Sequence, residues 1–160
     1  MTDPIWIDLI QLEVSNLRSI FSAWAAVADK AGSIRHSLDR PQERGTALRI
    51  LLLAGDEPLQ RSIFKEVVEL ASVGHADIVL CRLVIQAMSR EWVLRHIATV
   101  TDPVLQNGGE EEFRRYAELF RQLDDTLFHS HVTRMHGHAD VAVRDAAADY
   151  RASIEPNQSS

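Results

Sequence analysis

The sequence predicts an all-α protein of stacked helical hairpins, and three observations carry that prediction. Apolar residues recur three or four positions apart along most of the chain, and no strand-like alternation interrupts them. Prolines, glycines and capping residues punctuate this pattern at helix-length intervals. Finally, an acidic residue followed by an apolar stretch and an arginine recurs at Asp39, Asp77, Glu110 and Asp140, spaced 38, 33 and 30 residues apart. That period suits a repeat of one helix pair, in which stacked pairs share a continuous core. The clearest copies are Gly74-His75-Ala76-Asp77-Ile78 and Gly137-His138-Ala139-Asp140-Val141.

Each element has a local reason. Pro4 suits a first helical turn, and Trp6, Ile10, Val14, Leu17, Phe21, Trp24, Ala28 and Ala31 form one long apolar stripe behind it. Gly32 predicts a break, followed by a short helical piece over Ser33–Leu38. The helix after Pro41 carries Ala47, Leu48, Leu51 and Leu52 and stops at Gly55. Glu57-Pro58 starts another, with Leu59, Ile63, Val67 and Leu70 on one face and Gly74 as its stop. Residues 77–88 are apolar apart from Asp77, Arg82 and Gln86, so this helix is expected to be enclosed on several sides and the most buried of all. Ser89 caps the next, which presents Trp92, Val93 and Ile97 before the Asn107-Gly108-Gly109 loop. Glu110, Glu111 and Glu112 complement the dipole of a helix carrying Phe113, Tyr116, Phe120 and Leu123. Asp124 caps a helix through Leu127, Val132 and Met135, Gly137 breaks it, and Asp140 to Ile154 forms the last. Seven or eight helices in a single domain over 1–154 are expected, with a flexible tail over 155–160. Trp24, Leu51, Ile63, Ile85, Phe120 and Leu127 are the expected core.

A chain of 160 residues with 46% apolar composition can bury one good core. Its net charge of −6 argues against nucleic acid or an anionic membrane as partner, because such surfaces repel phosphate. No apolar run approaches a membrane span, and the acidic start, Met1 to Asp8, does not read as a signal peptide. The lone Cys81 sits among Ile78, Leu80, Leu83 and Ile85 and reads as a buried hydrophobe in a reducing compartment. The cytoplasm is the expected location.

Hairpins of this length, whose second helix opens with an acidic residue, an apolar residue and an arginine before an Ala-rich run, resemble HEAT repeats. Asp140-Val141-Ala142-Val143-Arg144-Asp145-Ala146-Ala147-Ala148 matches best, and Asp39 to Leu51 more loosely; the Asp77 copy has Cys81 in the arginine position and Arg82 one place on. The resemblance spans most of 36–152. It implies a right-handed α-solenoid of about four hairpins, a first helix acting as an amino-terminal cap, and a non-catalytic role in protein binding with no cofactor. Small acidic proteins of this kind also resemble bacterial immunity proteins, which neutralise a toxin by charge complementarity.

Three arginines fall five residues past their anchors, Arg44, Arg82 and Arg115, with Asp145 at the fourth position. Stacking would set the arginines in one row, either as a ladder paired to carboxylates of adjoining repeats or as a groove gripping an acidic partner. With Gln86 they are the candidate protein-binding residues. The competing chemistry is metal binding by His129, His131, His136 and His138. Helical geometry opposes it, since His129 and His131 point about 200° apart and His129 and His136 lie roughly 10 Å apart along the axis. The His-Glu dipeptides of HEAT-like di-iron hydroxylases do not occur in this chain, and neither does a phosphate loop, a Gly-x-Ser-x-Gly elbow or a Cys-x-x-Cys pair. The acidic clusters sit where helix capping accounts for them, so no catalytic residue is assigned.

Overall fold

The computed structural model describes residues 3–154, so the tail expected over 155–160 lies outside the described residues. Ten helices and no strand occur among them: α1 (Pro4–Ala25), α2 (Lys30–Leu38), α3 (Pro41–Ala54), α4 (Glu57–Ser62), α5 (Phe64–Leu70), α6 (Ile78–Ala87), α7 (Arg90–Asn107), α8 (Glu110–Leu123), α9 (Asp125–Met135) and α10 (Val141–Ile154). The all-α expectation holds, with more helices than the seven or eight expected. Successive partners pack together, α2 on α3, α5 on α6, α7 on α8 and α9 on α10. Contacts also skip along the chain, joining α3 to α6, α8 to α10, and α5 to both α2 and α7. Ion pairs follow two of these links, Arg35 of α2 with Glu66 of α5 and Arg114 of α8 with Asp149 of α10, and Arg134 of α9 with Asp102 of α7 adds a third.

Two of the unexpected breaks have visible causes. The first helix ends at Ala25 rather than at Gly32, because Asp29 caps a new helix by accepting the Gly32 N–H at 2.8 Å. Gly32 is thus inside α2. The single helix expected after Pro58 divides at Ile63 (φ −119°, ψ 14°), where the Ser62 carbonyl turns to accept a hydrogen bond from Arg35. The helix expected to stop at Gly74 already ends at Leu70, four residues earlier. Gly55 closes α3 in the left-handed region at φ 60°, so Gly55→Ala should destabilise the protein by about 1 kcal/mol, measurable by urea unfolding.

The twin Gly-His-Ala-Asp segments form the same turn before α6 and α10. His75 Nδ1 accepts the Asp77 N–H at 3.1 Å, and His138 Nδ1 accepts the Asp140 N–H at 3.1 Å. With Nδ1 an acceptor, Nε2 carries the proton and donates to a carbonyl, Leu70 at 3.0 Å in one turn and Leu105 at 3.1 Å in the other. The repeated motif is therefore a hydrogen-bonded bracket that fixes where a second helix begins. Acidic side chains tie these turns to neighbouring helices. Asp77 closes on Gly45 of α3 so tightly that a Cβ there would lie 2.7 Å from its carboxylate, and Glu111 of α8, next to the expected anchor Glu110, accepts the Gly74 N–H at 2.8 Å.

Burial differs from expectation at two helices. The core residues Leu51, Ile63, Ile85 and Phe120 are buried, while Trp24 and Leu127 are only partly so. The most enclosed helix is α8, whose Phe113, Tyr116, Ala117, Leu119, Phe120 and Leu123 are all buried by α7, α9 and α10. By contrast α6 buries Cys81, Val84 and Ile85 against α3 and α5 but leaves Val79 60% and Leu83 43% exposed. Burial pushes the Cys81 thiol up to about 12, which keeps it protonated and unreactive. The first helix buries no residue at all. Only its last turns approach the body, where Leu17, Ile20 and Trp24 border a groove against Ile50 and Leu53 of α3.

Candidate functional site

Side-chain hydrogen bonds bridge helices α6 and α8, which carry three of the four candidate residues. Arg82 is nearly enclosed: its guanidinium donates to Glu118 of α8 at 2.5 Å and to the Arg115 carbonyl at 3.4 Å. Arg115 meets the same carboxylate at 3.3 Å from the other side, so one glutamate holds two arginines. One turn further on, the exposed Gln86 donates to Gln122 at 2.8 Å. These bonds join α6 to α8 across the hairpin boundary. At Arg82 the arrangement is the paired, ladder-like one.

Arg44 stands apart and has a different task. Its Nε donates to the Leu38 carbonyl at 2.8 Å, six residues back, at the end of the preceding helix. Arg144 repeats this with the His138 carbonyl, also six residues back, at 2.6 Å. The counterpart of Arg44 is therefore Arg144, not Asp145 at the expected five-residue spacing. Arg44 thereby satisfies a carbonyl that the end of α2 leaves without a helical partner, and Arg144 one in the turn between α9 and α10.

Between these polar pairs lies the surface that sequence reasoning missed. Val79, Leu83 and Gln86 follow one another at i, i+4 and i+7, which turns all three to the same side of α6. They line a shallow depression floored by Arg82 and bounded by Gln122 of α8. The sequence held a partial signal, since Gln86 marks the outward side and Val79 and Leu83 share its stripe. Arg82 concealed it, because a charged residue on an apolar helix reads as the solvent side, whereas here it faces a carboxylate on α8.

The histidines are not brought together. His129 is exposed beside the edge of Phe128, while His131 is buried between Phe113 and Phe120 at ring distances of 4.9 and 4.8 Å. His138 is committed to its turn, and no group of three His, Cys, Asp or Glu able to hold a metal ion occurs among the described residues. The acidic clusters act at helix starts: Asp124 accepts the Leu127 N–H at 2.8 Å, and Glu112 accepts the Gly109 N–H at 2.8 Å. No helix among the described residues is long and apolar enough to cross a membrane. Comparison with protein-family models, with curated proteins and with solved structures finds no match.

Because Glu118 keeps solvent access and Arg115, removing Arg82 leaves no stranded charge. Arg82→Ala should therefore cost about 1–3 kcal/mol, from the charged hydrogen bond and the buried stem. A double-mutant cycle with Glu118→Ala checks this, and a coupling energy near zero would show the pair to be incidental.

Proposed function

We propose that this chain is a non-catalytic protein-binding scaffold, a HEAT-like right-handed α-solenoid of about four hairpins that engages a partner through the outer face of α6 and α8. The architecture is supported by the helix contacts that recur from one hairpin to the next, α3 with α6, α5 with α7 and α8 with α10. The single observation that carries the binding face is the exposure of Val79 and Leu83 on a helix otherwise built for burial. Apolar side chains ringed by Gln86, Gln122 and the Glu118–Arg115 pair give an apolar centre with a polar rim, the usual composition of a recognition surface. In this reading Arg82 holds the face in shape, Gln86 and Arg115 contribute to its rim, and Arg44 takes no part in it. Stacked helical repeats bind along such continuous surfaces.

The test compares proteins that co-purify with tagged wild-type chain and with a Val79→Glu/Leu83→Glu variant, expressed in the source cells. Both changed side chains are exposed, so the melting temperature should stay within about 3 °C while one specific co-purifying protein is lost. An unchanged set of co-purifying proteins would remove this face from consideration.

A further inference from the structure

We propose that α1 is a self-association helix that pairs in parallel with α1 of a second copy of this chain. The helix is 22 residues long and carries Ile7, Val14 and Phe21 alternating with Ile10, Leu17 and Trp24, a spacing of three then four residues kept throughout. That is a heptad seam with Ile7, Val14 and Phe21 at a and Ile10, Leu17 and Trp24 at d. Nothing in the body covers its forward part, since Ile7, Ile10, Val14 and Phe21 are each 40–45% exposed. Leu17 and Trp24 turn to the groove on α3, so the free part of the seam is Ile7, Ile10, Val14 and Phe21.

Charge selects the occupant and its direction. In this register Glu13 is a g residue and Arg18 the e residue five positions on. A parallel in-register pair sets each Glu13 against the partner's Arg18, giving two symmetric ion pairs. An antiparallel pair would oppose g to g and e to e, like charge to like. Neither residue forms an ion pair within the chain among the described residues, and both are exposed. An anionic lipid surface fits less well. The polar side of α1 is Asp8, Gln11, Ser15, Arg18 and Ser22, one cation where an interfacial helix would be rich in lysine and arginine.

Sedimentation equilibrium on the full chain tests this. The expected mass is twice the 18.0 kDa of one chain at micromolar concentration. Glu13→Arg and Arg18→Glu should each weaken association at least tenfold, and the double charge swap should return it to within about threefold of wild type. Val14→Asp should give monomers whose thermal melt is unchanged, because α1 contributes no buried side chain. A monomer at 100 µM, a trimer or larger assembly, or a dimer indifferent to Val14→Asp would overturn the proposal. So would a double swap that fails to restore what the single changes remove, or binding to phosphatidylglycerol vesicles in place of dimer formation.

Discussion

Phe120→Ala is expected to lower the unfolding free energy by about 3–5 kcal/mol, the largest loss from any single truncation considered. Its ring is 1% exposed, stacks beside Tyr116 at 5.9 Å and meets the edge of His131 at 4.8 Å. It lies on α8, the helix that α7, α9 and α10 all contact, so the cavity would open where three helices meet and could collapse little. For a chain of this size the melting temperature should fall by on the order of 10 °C. Leu83→Ala serves as the contrast: the same assay should register under about 1 kcal/mol, because its side chain is 43% exposed. Equal losses at the two positions would contradict the burial pattern described for α6 and α8.

The second large effect is a loss of stability in mild acid that traces to His131. Burial is the main cause holding this imidazole down to about 4; nearby Arg134 acts in the same direction, against Asp102 and the Phe113 carbonyl. In the unfolded chain the group titrates near 6.5. Between those values the unfolded state binds the extra proton, so stability declines as the pH falls from about 6.5 to about 4. The full difference is on the order of 3 kcal/mol. Above the upper bound the ring is neutral in both states and contributes no pH dependence. His131→Leu should remove this component of the acid slope. At pH 8 it should cost under about 1.5 kcal/mol, since leucine fills the site and the unpartnered Nδ1 disappears. Urea unfolding at pH 4.5 and pH 8 decides the matter; parallel curves for wild type and variant would place the proton elsewhere.

Much of the fold was legible because the capping chemistry is local. Ser89 and Asp124 each accept an N–H from the first turn they precede, as their positions in the sequence implied. Gly55 ends its helix as the sequence implied, whereas the helix expected to run to Gly74 stops at Leu70. What the sequence obscured were choices made by distant partners. The break at Ile63 depends on Arg35, a residue 27 positions before the Ser62 carbonyl it takes up. The exposure of Val79 and Leu83 depends on α3 and α5 covering only one side of α6, and apolar periodicity alone cannot tell a covered stripe from an open one. The first helix shows the same ambiguity more strongly. Its stripe reads as a cap on the core, yet the body receives only its final turns. The arginine spacing could not reveal that Glu118 gathers both Arg82 and Arg115 while Arg44 turns to the Leu38 carbonyl.

The account stands or falls on whether the α6–α8 face contacts another protein. A photo-crosslinking amino acid placed at position 83, compared with one at position 95, measures this directly. Arg95 is exposed on α7, and its own carboxylate partner, Glu91, lies one turn away on the same helix. In the source cells the position-83 chain should yield one discrete adduct with a different protein, identified by mass, that disappears when Val79→Glu is added. The position-95 chain should not form it. No adduct at position 83, or the same adduct from both positions, would contradict the proposed binding face.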